Sequence, residues 1–157
     1  MTATIRPADR SDIPALADLI EEIERFYGAT EIQPPDERRT QIEEALFGSP
    51  PLAAALVVED ENGTLAGLAA YSFLWPATGT THSLFLKELY LRETLRQQGV
   101  GARLMAELHA IAAARPRCSR MEWMTDRSNP AARTFYESLG FAELDGKIVY
   151  RVGASAG

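Results

Sequence analysis

The chain has 157 residues, 46% hydrophobic and 24% charged, with a formal net charge of −6; these are the proportions of one soluble domain, taken as residues 1–152, with a core of its own. The acidic balance argues against a nucleic-acid partner, which calls for a basic face. One cysteine (Cys118), two distant histidines (His82, His109), no long apolar run and no signal-peptide pattern over Met1–Arg6 argue against a disulfide framework, a zinc site and a membrane partner, and point to the cytoplasm.

Thr2 to Arg6 alternates in character and reads as a short strand. Asp12 is placed to cap a helix with Pro14 in its first turn. Ile13, Leu16, Leu19, Ile20, Ile23 and Phe26 then recur at helical spacing, and Gly28 ends the run. Pro34-Pro35 marks a loop. Asp36 to Phe47 reads as a second helix with Ile42, Leu46 and Phe47 inward, stopped by Gly48-Ser49-Pro50-Pro51. Leu52–Glu59 and Leu65–Trp75 are strand-like and flank Asp60-Glu61-Asn62-Gly63, a hairpin signal. Pro76 to Thr80 breaks the chain before a third antiparallel strand, Ser83–Leu91.

A helix follows over Gly99–Ala114, with Val100, Leu104, Leu108 and Ile111 forming its apolar stripe. Arg120–Thr125 reads as a strand, Pro130–Leu139 as a helix and Phe141–Arg151 as one or two terminal strands. The tail Gly153–Gly157 is expected to be disordered. The whole predicts a mixed α/β (α+β) fold in a single domain, with a mixed antiparallel and parallel sheet of about 6–7 strands flanked by about 4 helices.

The segment Arg96-Gln97-Gln98-Gly99-Val100-Gly101-Ala102 joins a strand to a helix. A helix N-terminus presents unpaired N–H groups and partial positive charge, and glycines let an anion approach the backbone. Arg96 adds a formal charge. No Gly-Lys-Ser/Thr follows, so this is a phosphate cradle of another kind than the Walker loop. Taken alone, the same spacing also suits a plain turn before a core helix.

Downstream stands Asn129-Pro130-Ala131-Ala132-Arg133-Thr134-Phe135-Tyr136-Glu137-Ser138-Leu139-Gly140-Phe141. Together the two segments resemble the GNAT superfamily of N-acetyltransferases. That family's pattern is Arg-x-x-Gly-x-Gly/Ala after the fourth strand, then Asn-x-x-Ala-x-x-Phe-Tyr-x-x-x-Gly-Phe. Every fixed position is occupied, and Ile5-Arg6-Pro7-Ala8 with Asp12 is similar to the family's first strand and turn. Cys118-Ser119-Arg120-Met121-Glu122-Trp123 and Phe85-Leu86-Lys87-Glu88-Leu89-Tyr90-Leu91 resemble the diamine (spermidine/spermine and thialysine) acetyltransferase branch.

The resemblance implies acetyl-CoA as donor, with CoA as product, and a small-molecule amine as acceptor. It implies that the backbone of Leu89, Tyr90 and Leu91 pairs with the pantetheine arm. Arg96 and the N–H groups of Gln97, Gln98, Gly99, Val100, Gly101 and Ala102 would hold the pyrophosphate. Asn129 and Ala132 would contact the cofactor, and Tyr136 would lie by the thioester sulfur and protonate the leaving thiolate. Phe26 and Tyr27 would form one wall of the acceptor site. A homodimer is implied by analogy with the branch.

Acetyl transfer requires a neutral amine, yet an alkylammonium has a pKa near 10.4, so deprotonation at pH 7 costs about 4 to 5 kcal/mol. Glu88, near the end of the central strand, is the first candidate for a water-mediated base or an amine-binding carboxylate. Lys87 is its strand neighbour, and the two face opposite ways unless a bulge intervenes. The sequence also departs from the branch. Lys87 takes a glutamate position, Tyr27 replaces an acid, and the acidic C-terminal segment is reduced to Asp145-Gly146-Lys147. A cation at Lys87 opposes a long polyamine and suits an acceptor that itself carries a carboxylate. Two alternatives share the fold: a non-catalytic acyl-CoA-binding module and an acetyltransferase acting on protein lysines or N-termini. An open acceptor groove between the Phe26–Pro35 and Trp75–Thr80 loops would support the protein substrate.

Overall fold

A computed structural model describes residues 3–155. Thr2, expected in the first strand, and the last two residues of the tail lie outside them. Compact units divide between Met124 and Thr125.

The first unit opens with strand β1 (Thr4–Pro7) and a 3-10 turn (Arg10–Asp12) that leads into helix α1 (Ile13–Phe26). Asp9 and Asp12 cap that turn reciprocally. Asp12 is buried, and Arg6 donates to both its oxygens at 2.8 Å while also pairing with Glu59. The entry to α1 is therefore fixed by a charge network as well as by apolar contact. Helix α2 (Pro35–Phe47) follows, then strands β2 (Ala54–Glu59), β3 (Leu65–Leu74) and β4 (His82–Leu91), helix α3 (Val100–Ala114) and strand β5 (Cys118–Trp123).

These strands form one sheet in the order β1-β2-β3-β4-β5. The first four are antiparallel and β5 runs parallel to β4, as the helix between them requires. Leu16, Leu19 and Ile23 of α1 and Ile42 of α2 pack with Val57, Leu68 and Tyr90 on one sheet face. Leu104, Met105 and Leu108 of α3 are fully buried, and α3 contacts β4 and β5.

One buried residue was not expected inside. Arg38 of α2 is 4% exposed. It lies one turn before Ile42, and its guanidinium donates to the carbonyls of Ala17 (3.3 Å) and Gln33 (3.1 Å) and to Glu21 (3.1 Å). It ties the α1–α2 loop to the middle of α1. Leu46 and Phe47, expected inward, are only half-buried.

The second unit holds helix α4 (Pro130–Ser138). The expected terminal strands are not formed: residues 141–151 carry no helix or strand, so the described sheet has five strands instead of six or seven. Within this unit no second strand is present among the described residues to satisfy a strand backbone there. Leu144, Ile148, Val149 and Tyr150 stay exposed, and their burial does not offset the cost of ordering the segment.

Candidate functional site

Strand β4 changes character halfway. Ala70 pairs with Glu88 and Tyr71 with Leu86, so Lys87 is an extra residue in β4. A bulge of this kind re-aims the side chains around it. It settles the orientation that sequence left open: Lys87 is exposed and Glu88 is half-buried. Past the bulge, Glu88 and Tyr90 face the α1 side with their partners Ala70 and Leu68.

The pairing with β5 stops at the same place, since its last register pair is Leu86↔Trp123. Beyond Leu86, the β4 edge that faced β5 loses that partner. Arg92 donates its N–H to the Ala66 carbonyl at 2.8 Å. With Leu91 opposite Gly67, this makes Leu91 a non-hydrogen-bonded position. Leu91, and by alternation Leu89, therefore aim their N–H and C=O groups away from β3, along the edge that β5 has left.

That edge runs into the glycine-bearing loop. A 3-10 turn (Glu93–Leu95) leads to Arg96. Gln97 then adopts φ of 61° and Gly99, the N-cap of α3, φ of 77°. A non-glycine residue held left-handed costs on the order of 1–3 kcal/mol, and such strain gathers at ligand clamps. No sequence signal marks Gln97 for this conformation. Helix α3 has no side-chain N-cap and no acidic residue in its first turn. Its leading N–H groups and partial positive charge are left for an external anion. The exposed Gln98 side chain donates to the Thr94 carbonyl at 2.6 Å.

Glu88 makes no hydrogen bond or ion pair among the described residues. Burial pushes its carboxyl pKa above the ordinary carboxylate range, with Lys87 opposing the shift. Two positions along, burial and the Glu22 carboxylate push the Tyr90 hydroxyl up. Tyr90 stays protonated and donates to Glu22 at 2.9 Å, while Arg92 donates to the same carboxylate at 3.1 Å. Phe26 meets the Tyr90 ring edge-on at 6.0 Å, and Tyr27 lies against Phe26 at 5.2 Å. Both are 58% exposed. The predicted acceptor-wall aromatics are thus brought beside the strand that carries Glu88. The Trp75 loop is not: Trp75 follows Leu74, six strand positions from Leu68, or about 20 Å along β3. Phe26, beside Tyr90, and Trp75 thus lie toward opposite ends of the β3–β4 pairing.

In the second unit, Asn129 accepts the Ala132 N–H on its side-chain oxygen at 3.1 Å and so caps α4. This commits Ala132's backbone donor and one lone pair of the Asn129 oxygen, leaving the second lone pair and the amide N–H groups of that side chain. Tyr136 is half-buried, with its ring 5.1 Å from that of Phe135.

The free strand edge, left-handed loop and uncapped helix follow one another without interruption from Leu89 to Val100. A profile of the acetyltransferase (GNAT) family matches residues 16–141. The chain belongs to that family, and as such is an acyltransferase of the N-acetyltransferase type with acetyl-CoA as co-substrate. It is 29% identical over 149 residues to the human spermidine/spermine N(1)-acetyltransferase-like protein 1, covering 89% of this chain but only 20% of that protein. It is 28% identical over 120 residues to aminoglycoside N(6')-acetyltransferase type 1 of Serratia marcescens, covering 74% of this chain and 80% of the relative. In fold it is similar to an integron cassette protein of V. cholerae, with a TM-score of 0.85 at 24% identity, over 98% of this chain and 94% of the other. It is similar too to the aminoglycoside N-acetyltransferase AAC(6')-Iy in complex with CoA, with a TM-score of 0.77 at 21% identity, over 96% and 95%.

Proposed function

We propose that the protein moves acetyl from acetyl-CoA directly to the primary amine of a small molecule. The observation that carries the reading is the free edge at Leu89–Leu91 running into the Gln97–Gly99 loop, with the half-buried carboxyl of Glu88 on the adjoining strand face. In this reading Leu89 and Leu91 pair with the pantetheine arm, and the N–H groups of Gln97 to Ala102 hold the pyrophosphate. Acetyl-CoA supplies an activated acyl group on a thiolate leaving group. The chain's residues do the rest.

Glu88 takes the proton of the incoming ammonium, directly or through one water. Its raised pKa brings it toward neutrality, where a base is most effective. The Leu89 N–H, aimed along the free edge, can donate to charge that develops on the carbonyl oxygen. Tyr136 returns a proton to the departing sulfur. Phe26 and Tyr27 flank the acceptor. The Glu22 carboxylate, held beside Tyr90 on the same strand face, is already bonded to Tyr90 and Arg92. That supports a compact acceptor with one amine at the reaction centre over a long polycation. The relatives are named for spermidine/spermine and for aminoglycosides, which share amine chemistry and differ as to which amine.

The test is release of free thiol from acetyl-CoA against a panel of diamines, aminoglycosides, lysine analogues and small amino acids. Turnover with at least one, lost in Tyr136→Phe by on the order of 10²-fold, is the expected result. CoA binding without turnover on any amine or peptide would leave a binding module instead.

A further inference from the structure

The loop motif suggests that Arg96 serves the phosphates as a charge. In the structure it is engaged on the other side. Its Nε donates to the Leu91 carbonyl at 2.9 Å. Its Cζ lies 5.7 Å from the Phe26 ring centroid and 5.8 Å from that of Tyr90, and those rings are 6.0 Å apart. These separations are cation–π distances. One side chain thus bonds the end of the cofactor strand and lies against the last residue of α1.

Phe26 is the last residue of α1. The ring is 58% exposed and touches Tyr27, Tyr90 and Arg96. One turn earlier Glu22 is fixed by Tyr90 and Arg92, so the helix itself does not depend on Arg96. The Leu91 bond has a second consequence. It occupies the outward carbonyl at the end of the free edge, leaving the Leu91 N–H as the last outward group before the loop.

We infer that Arg96 is a positioning residue: it braces the Phe26 wall of the acceptor site against the end of the cofactor strand, and so links acceptor binding to the phosphate loop. The inference rests on the acetyl-transfer reading above for the identity of the two sites. Lysine is a poor replacement for arginine here, because it lacks the Nε–H that bonds Leu91 and the planar guanidinium that can bond and stack at once.

The variants are Arg96→Lys, which keeps the charge, Arg96→Met, Phe26→Ala and the double variant Arg96→Lys/Phe26→Ala. With two exposed rings involved, Arg96→Lys is expected to raise the acceptor KM about 5- to 20-fold, more than it lowers kcat, with the Kd for CoA changed less than about 3-fold. Phe26→Ala should do the same, and the double variant should be no worse than the poorer single. A charge acting only on phosphate gives the opposite pattern and overturns the inference: Arg96→Lys behaves as wild type, Arg96→Met weakens CoA alone, and the effects of Arg96→Lys and Phe26→Ala multiply.

Amide exchange in the ligand-free protein gives a readout that needs no activity. The Tyr27, Gly28 and Ala29 amides are bonded to Ile23, Arg25 and Glu24 carbonyls. Arg96→Lys should speed their exchange at least several-fold while leaving the middle of α1 unchanged; unchanged rates overturn the brace. A wild type that neither binds CoA nor releases thiol defeats the acetyl-transfer reading, whereas exchange still decides whether Arg96 holds the turn.

Discussion

Glu88→Gln is the substitution on which the proposed chemistry turns. The amide has the shape of the carboxyl but cannot take a proton at any working pH. In the wild type the carboxyl is half-buried, unbonded among the described residues, and raised in pKa by desolvation with Lys87 as the opposing charge. An amine of pKa near 10.4 must lose its proton at pH 7 against about 4.6 kcal/mol. A placed base commonly contributes 10²- to 10⁴-fold, so kcat/KM should fall about 10²-fold at pH 7, equal to about 2.7 kcal/mol. The deficit should shrink as pH rises toward the amine's own pKa, where the acceptor arrives already neutral. Thiol release measured from pH 6 to 9.5 for both proteins gives the ratio directly. A deficit below 3-fold, or one that stays constant with pH, would refute the assignment of Glu88 as the base. Stability provides a second sign. A folded pKa above the unfolded one means the group favours folding below its unfolded pKa, and this is lost as pH rises through the folded value. Glu88→Gln should therefore melt higher than wild type at neutral pH, and the difference should fade in acid.

Other residues give separate tests. Asp12→Asn breaks the pair with Arg6 and should cost about 3 kcal/mol in urea unfolding at pH 7. Arg6 holds the Asp12 carboxyl below the usual range. Its stabilisation is thus present above the unfolded pKa and lost as pH falls through the folded one, and the gap between the two proteins should narrow in acid. Arg38→Met should cost about 2–4 kcal/mol, because it leaves the Gln33 carbonyl without its donor and removes the pair with Glu21, and should speed amide exchange in the α1–α2 loop. Gly99→Ala meets no atom within 4 Å but must hold φ of 77°. It should lose about 1–2 kcal/mol of stability and weaken CoA in calorimetry, with Gly99→Asn milder in both.

Much of the frame could be read from residue pattern because local signals agreed. Pro14 near the start of α1, Asn62-Gly63 between β2 and β3, and the Val100–Leu104–Leu108 stripe each name an element that forms close to its expected bounds. The terminal strands do not form because Phe141–Arg151 has strand-like side chains but no strand to pair with inside its unit among the described residues. The loop was legible from its glycines, while the left-handed turn at Gln97 was not, since nothing about glutamine favours it. Whether Lys87 or Glu88 faces inward depended on the bulge opposite Ala70 and Tyr71. A bulge arises from pairing between strands, and one strand's own sequence does not carry it. Arg38 reads as a surface arginine by type; only the carbonyls left by the α1–α2 loop make a buried site for it.

A crystal structure of the protein with CoA bound would show where the donor lies. The pantetheine should lie along Leu89–Leu91, bonded to the outward N–H groups of that edge, with the pyrophosphate on the N–H groups of Gln97 to Ala102 and the sulfur on the Glu88 side of the bulge. A CoA molecule bound elsewhere, or one whose phosphates are held by side chains with the loop amides unused, would contradict it.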